Sequence, residues 1–298
     1  MAAEWRYNMS LVAKIHRTLW IVVLFFLATG DATVSDEPVT VVDVGGIPGP
    51  YSFGKFCKTS DGVAWGVGGM GHILRLEVSV KAQDLRVGDV DWNGIFFATR
   101  DIGWVVGTAG TILHSTDSGV HWAKQSSNVT EDLQGVACID QERCWVVGNA
   151  GVILRTEDGG TRWELLSTRA NETLYAIEFL DMRRGWAVGE DGIFLSTSDS
   201  GRSWLQTKVQ VPLFSTRPES GIASWRCVKF SNTLIGWVAG LGGLARTEDG
   251  GKTWKVQIHD EHFVGLVVHQ LQLWAVGNNR NNYCSQDFGQ SWDKCSSK

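Results

Sequence analysis

Proline is scarce, at five of 298 residues, and tyrosine and methionine occur only four times each. So little proline excludes a proline-rich linker or an extended polyproline ligand. Positive charge is also short: 27 Lys and Arg face 32 Asp and Glu, a net of -5. A nucleic-acid binder must meet backbone phosphate with clustered cations, so no nucleic-acid partner is expected. No Cys-x-x-Cys pair occurs, and the seven His stand away from the six Cys, which argues against a zinc site. Beyond Leu27 no apolar run approaches the roughly 20 residues of a spanning helix. No phosphate loop, Gly-x-Ser-x-Gly or His-Glu-x-x-His motif is present. No metal and no cofactor are expected. What the chain does hold is glycine (35) and tryptophan (15), without a Gly-X-Y period. That combination implies many tight turns in a packed, aromatic-rich protein.

The first thirty residues read as a secretory signal. Arg6, Lys14 and Arg17 precede the apolar run Leu19-Trp20-Ile21-Val22-Val23-Leu24-Phe25-Phe26-Leu27, and small residues follow. Cleavage is expected after Gly30 or Ala32; an uncleaved anchor is the alternative, and Met9 is a second candidate start. Residues 31–36 carry two acids and no Arg, unlike a plastid transit region. Asn128-Val129-Thr130 and Asn171-Glu172-Thr173 are N-glycan acceptor sequences, meaningful only in the secretory path. These features point to the secretory pathway or the outside of the cell.

The dominant signal is a repeat. Six segments share one pattern: Ala64-Trp65-Gly66-Val67-Gly68, Gly103-Trp104-Val105-Val106-Gly107, Cys144-Trp145-Val146-Val147-Gly148, Gly185-Trp186-Ala187-Val188-Gly189, Gly236-Trp237-Val238-Ala239-Gly240 and Leu273-Trp274-Ala275-Val276-Gly277. Their tryptophans are 39, 41, 41, 51 and 37 residues apart. Each of the last five is followed by an Asp box, Ser/Thr-x-Asp-x-Gly-x-x-Trp, with the pairs Asp117/Trp122, Asp158/Trp163, Asp199/Trp204, Asp249/Trp254 and Asp287/Trp292. The Gly supplies a left-handed turn position, the carboxylate accepts from nearby backbone N–H groups, and the Trp covers the turn. The fourth repeat shows four strand-like runs, at 174–180, 185–189, 193–197 and 203–208, linked by short Gly/Asp/Arg turns.

Four strands every forty residues predict an all-β fold, a β-propeller of six, or seven, four-stranded blades over residues 53–298. Residues 31–52 form an N-terminal extension. Its strand-like stretch at 39–44 is a candidate for closing the ring or a remnant of a seventh blade. The 51-residue spacing requires an insertion at about 211–224.

The Asp-box hairpin resembles the bacterial neuraminidase repeat found in sialidases, sortilin-type receptors and some glycoside hydrolases. The fuller pattern is a strand ending in Phe, then Gly-Trp-Ala/Val-Val-Gly, then Gly-x-Ile-Leu-x-Thr-x-Asp-Gly-Gly-x-x-Trp. It resembles the photosystem II assembly and stability factor family, best at residues 179–204 and 152–163 and overall across about 53–295. The resemblance implies a non-enzymatic propeller of the thylakoid lumen that binds reaction-centre subunits through an Arg-rich face. It also includes secreted or envelope relatives in non-photosynthetic organisms. The expected partner is a photosystem subunit or another membrane or secreted protein.

Carried over position by position, the Arg-rich face falls on the residues just before the Ser/Thr of each box: Arg75, His114, Arg155 and Arg246, with Ser196 and Cys284 completing the set. The alternative is that each cation pairs with a neighbouring acid such as Glu157 or Glu248. A second set, Arg100, Arg143, Arg183 and Arg184, lies in the turns between first and second strands. Cys138 and Cys144 flank one predicted hairpin turn and Cys284 and Cys295 another, so two disulfides are expected. Alternatively the cysteines fill core positions reduced, since Cys138 aligns with Phe97, Phe179 and Phe230. Cys57 and Cys227 stand in distant repeats.

Catalysis is not expected. A sialidase needs an Arg triad and a Tyr nucleophile, and past the signal only Tyr51, Tyr175 and Tyr283 remain, with no Arg before Ile47-Pro48. The box aspartates are committed to their turns. A carbohydrate-active propeller is the outlying alternative to a protein-binding scaffold.

Overall fold

A computed structural model describes residues 41–43, 53–59, 63–77, 80–209, 223–269, 271–278 and 281–295. The signal at 1–30, most of the 31–52 extension and nearly all of the 211–224 insertion lie outside these residues. Strand runs and Gly-bearing turns fold as antiparallel hairpins throughout. The fourth repeat comprises Leu174–Phe179, Gly185–Gly189, Ile193–Thr197 and Leu205–Lys208, ordered consecutively in one sheet. Repeats two and three form the same four-stranded unit, and repeat one adds a fifth strand, Val41–Asp43, paired to Phe53–Lys58. That added strand also lies alongside Lys255–His269 of the last sheet.

The architecture is an all-β propeller. It has five sheets, hence five blades, where the sequence repeat predicts six or seven. All six tryptophan repeats are present, but the last two share one six-stranded sheet. Its strand Lys255–His269 runs unbroken for 15 residues. Residues 255–259 and His262 pair with repeat five, and residues 263–269 pair with repeat six. Asp260 turns left-handed at φ 58° in this passage, yet the strand continues through it, so the boundary counted from tryptophan spacing does not separate two sheets.

The second strands of repeats one to four are buried along their whole length, and among the described residues the core forms five clusters, each shared by two consecutive repeats. The largest contribution comes from an aromatic ladder across the repeat interfaces. Trp65 stacks on Phe97 at 4.8 Å, Trp145 on Phe179 at 3.6 Å, and Trp186 on Phe230 at 3.7 Å. Each Phe then meets the Asp-box Trp of its own repeat edge-on: Trp122, Trp204 and Trp254.

The residue opposite each of these phenylalanines is glycine, in the pairs Phe97/Gly103, Phe179/Gly185 and Phe230/Gly236. A Cβ on any of the three glycines would lie 2.6–2.7 Å from the Phe ring. The third repeat breaks the pattern at both positions together. There Cys138 opposes Cys144, the two are disulfide-bonded, and Trp104 stacks on His114 at 4.6 Å instead. A disulfide thus stands where repeats two, four and five place a ring over a missing side chain.

Candidate binding faces and axis

The turns separate into two faces. On one, each Asp-box turn is hydrogen-bonded to the turn between the first and second strands of its repeat. The links are Ser118 N–H to Asp101 O, Gly159 to Glu142, Ser200 to Arg183, Gly250 to Leu234 and Phe288 to Leu271. We call this the hairpin face. On the opposite, loop face, the turns between second and third strands bond to the loops joining one repeat to the next, as in Gly110 N–H to Glu131 O and Gly151 N–H to Glu172 O. Gly151 sits there at φ +69°, and a Cβ would be 2.1 Å from Ala170 O, so only glycine fits.

The five Asp boxes are built alike. In the fourth-strand hairpin of repeat five, Asp249 Oδ1 accepts from the N–H groups of Lys252 and Thr253 and from Thr247 Oγ1, while Oδ2 accepts from Thr253 Oγ1. The buried Thr247 hydroxyl in turn accepts from Gly251 N–H. Asp117, Asp158, Asp199 and Asp287 repeat the arrangement. These bonds favour the ionised form. The Thr253 hydroxyl and N–H hold Asp249 down to about 2, and the His121 N–H holds Asp117 to about 2. Carboxyls depressed in the folded state stabilise it above their unfolded value of about 3.9, and that stabilisation is lost as pH falls through the folded value. The melting temperature is therefore expected to drop steeply between about pH 4 and pH 2, and a flat profile over that range would contradict the account. The box Trp residues cover the turns: Trp163 is buried, Trp254 Nε1 donates to Gly251 O, and Trp292 Nε1 to Gln257 Oε1.

The cations before each box do come to equivalent register positions, each across from its repeat's tryptophan: Trp65/Arg75, Trp104/His114 and Trp145/Arg155. They do not form an open patch. The Arg75 guanidinium lies 5.5 Å over the Trp65 ring, and that of Arg246 lies 5.8 Å over Trp237. The Arg155 side chain is 8% exposed and that of Arg246 12%. Arg155 pairs with Glu157 at 3.4 Å and Glu164 at 2.8 Å, and Arg246 pairs with Glu248. At Arg75 and Arg246 the tryptophan draws the flat cation inward, and at Arg155 and Arg246 an acid pairs with the charge. Arg155 and Arg246 adopt the pairing alternative.

The second set is different. Arg143 and Arg184 fork onto Asp140 and Asp181 of their own turns, with Arg184 Nε donating to Asp181 Oδ2 at 2.6 Å. Arg183 and Arg202 are exposed on the same hairpin face. Beside them the first-to-second turns of repeats four to six expose large apolar side chains: Met182 (51%), Leu234 (55%) and Leu271 (65%). Sequence reasoning missed this apolar arc, though an apolar residue inside a polar turn is a legible signal.

It also missed the axis. First strands line it with Gly94, Gly135, Ala176, Cys227 and Gly265 at one aligned position, where repeat one has Lys55. The Lys55 ammonium reaches across to donate to Gln134 O at 2.6 Å and Tyr175 O at 2.7 Å. Toward the hairpin face, Lys229 pairs with Glu178 at 2.9 Å, and burial pushes the Glu178 carboxyl up despite that partner. Toward the loop face, Arg226 stacks on Tyr175 at 3.7 Å. Lys55 thus ties repeat one to repeats three and four through the axis.

Both expected disulfides, Cys138–Cys144 and Cys284–Cys295, are formed. Cys57 and Cys227 are buried outside them, and burial pushes the Cys57 thiol well above its usual value. Asn128 and Asn171 are exposed on the loop face. Among the described residues no three His, Cys, Asp or Glu group as a metal site, and no helix is long and apolar enough to cross a membrane.

A family model described as photosynthesis system II assembly factor YCF48 matches residues 75–171 and 161–265. Among solved structures, the fold is similar to "YCF48 bound to D1 peptide", with a TM-score of 0.64 at 17% identity, covering 88% of this chain and 85% of that one. It is also similar to YCF48 from Cyanidioschyzon merolae, with a TM-score of 0.62 at 18% identity and coverage of 86% and 88%. The GH74 xyloglucanase from Xanthomonas campestris gives a TM-score of 0.55 at 18% identity, covering 88% of this chain but 38% of the enzyme. At these identities the likeness to solved structures concerns the fold. No curated protein matches the chain.

Proposed function

The chain belongs to the photosystem II assembly factor YCF48 family, and from that premise we propose that it is a non-catalytic scaffold that grips a segment of another protein on its hairpin face. One observation carries the choice of face. Met182, Leu234 and Leu271 stand exposed on the turns of consecutive repeats, beside the exposed Arg183 and Arg202. Apolar side chains rimmed by arginine suit an extended peptide that offers apolar anchors and carboxylates. The inward-facing Arg75, His114, Arg155 and Arg246 serve the blades in this reading and act on a partner only through their rigidity.

The partner is a segment of a membrane or secreted protein. A photosystem subunit is the first candidate, because a YCF48 structure carries a D1 peptide. The compartment is the secretory path or the cell exterior, with the thylakoid lumen as the alternative. The exposed Asn128 and Asn171 support the former and the family membership the latter. Fold alone does not transmit function, so the GH74 likeness supports no hydrolytic reading.

The test is titration of a labelled D1 peptide into the purified protein. Arg183→Glu with Arg202→Glu is expected to weaken binding at least tenfold with an unchanged melting temperature. Binding that survives the reversal would remove the hairpin face. Absence of binding by the wild type would remove a D1-type partner.

A further inference from the structure

We propose that Asn128 and Asn171 both carry N-linked oligosaccharide, which clothes the loop face of repeats two to four and leaves the hairpin face bare. The acceptor sequence alone is common, and the fold adds what the sequence could not. The two asparagines lie in loops joining consecutive repeats, the first between Ala123–Gln125 and Leu133–Cys138, the second between Glu164–Leu166 and Leu174–Phe179. These loops bond to the second-to-third turns, through Gly110 to Glu131 O and Gly151 to Glu172 O, so both sites share one face.

Both residues are exposed, and the nitrogen that would be modified has no hydrogen-bond partner among the described residues. Asn128 uses only its Oδ1, accepting from Ser126 Oγ at 2.9 Å, and Asn171 engages through its backbone N–H to Glu172 Oε2. Asn128 stands at φ 59°, a left-handed position that asparagine tolerates and that lifts the residue at a loop tip. Thr130 is exposed as well, so its loop offers no packed surface for a sugar to displace. Elsewhere in these repeats the chain is committed to ladder hydrogen bonds and the aromatic core. A bulky polar group fits at exposed loop tips such as these.

The transfer itself is done by an external enzyme on a lipid pyrophosphate-linked oligosaccharide. The asparagine amide nitrogen forms a bond to the sugar C1 as the C1–O bond to the pyrophosphate breaks. The amide loses one proton to the enzyme, and the lipid pyrophosphate leaves. No oxidant or reductant enters. Transfer precedes folding, so the fold's part is to keep both sites outside the packed blades.

The hairpin face is then the surface left for a partner. That consequence rests on the function proposed above, whereas the modification itself does not. The two are separable, because peptide binding is measured on protein made in bacteria, which adds no such glycan.

The experiment uses the full chain made in a eukaryotic cell with its own N-terminus intact. Fractions and medium are treated with an amidase that cleaves the asparagine–sugar bond. Two mobility steps are expected in the wild type, one in Asn128→Gln, one in Asn171→Gln and none in the double variant. Released peptides should show each of the two asparagines converted to aspartate. Thr130→Val and Thr173→Val, which keep the asparagines but remove the acceptor hydroxyl, should each lose the same step as the matching Gln variant. This covers the case in which a Gln variant folds poorly. A wild type unchanged by the amidase, or steps that persist in the double variant, would overturn the proposal.

Discussion

Combining Cys138→Phe with Cys144→Gly is expected to recover most of the stability that either replacement alone removes. Four cross-strand pairs are aligned at this position in repeats two to five. Three are Phe over Gly, with the ring 2.6–2.7 Å from where a Cβ would be, and the fourth is the Cys138–Cys144 bridge. Cys138→Phe alone loses the bridge, worth about 2 kcal/mol for so short a loop, and drives a ring against the Cys144 side chain at a further cost of about 1–3 kcal/mol. Cys144→Gly alone loses the bridge and leaves a void beneath Trp104. The double change rebuilds the unit of the neighbouring repeats and lets the introduced ring stack on Trp104 as Phe97 does on Trp65. Thermal melting of the four proteins without reductant, so that the wild type keeps its bridge, closes the cycle. Purely additive losses in the double variant would show that the two solutions do not occupy the same space. Gly185→Ala supplies the converse, with an expected loss of about 1–3 kcal/mol from forcing a methyl into the Phe179 ring.

The second large effect is expected from Asp249→Ala, which should lower stability by about 2 kcal/mol. The substitution orphans the N–H groups of Lys252 and Thr253 and two hydroxyls at once, including that of the buried Thr247. Water reaches the exposed side of the turn and moderates the loss, but Thr247 and Gly251 are closed off by Trp254 and Phe194. Asp249→Asn keeps the shape and one acceptor oxygen. It is expected to lose less, and to flatten the acid limb of the stability profile because the titrating group is gone. Denaturant melts of both variants at neutral and acid pH decide this. An Asp249→Ala protein as stable as wild type would mean that the shared geometry of the five boxes is ornamental to the fold.

Much of the molecule was legible in the chain because its determinants are local. Strand limits in the fourth repeat, the left-handed glycines of the Asp boxes and both hairpin disulfides follow from residues within about a dozen positions of one another. Alternation, turn chemistry and cross-strand spacing act over that range. The blade count did not follow. Tryptophan spacing counts repeats, whereas sheets are counted by hydrogen bonds, and Lys255–His269 runs on through the left-handed Asp260.

The site divides in the same way. The sequence by itself determined that Arg75, His114, Arg155 and Arg246 are equivalent, since equivalence is a matter of register. Only the tertiary structure decided that Arg75, Arg155 and Arg246 turn inward: Arg75 and Arg246 lie over tryptophan rings, and the turn that receives Arg155 at Ser200 belongs to the next repeat. It likewise decided that Lys55 crosses the axis to repeats three and four, and that Met182, Leu234 and Leu271 share a face with Arg183 and Arg202. Those juxtapositions join residues up to 120 positions apart. No periodicity encodes them, because they arise when successive repeats pack around a common axis and the ring brings distant strands together.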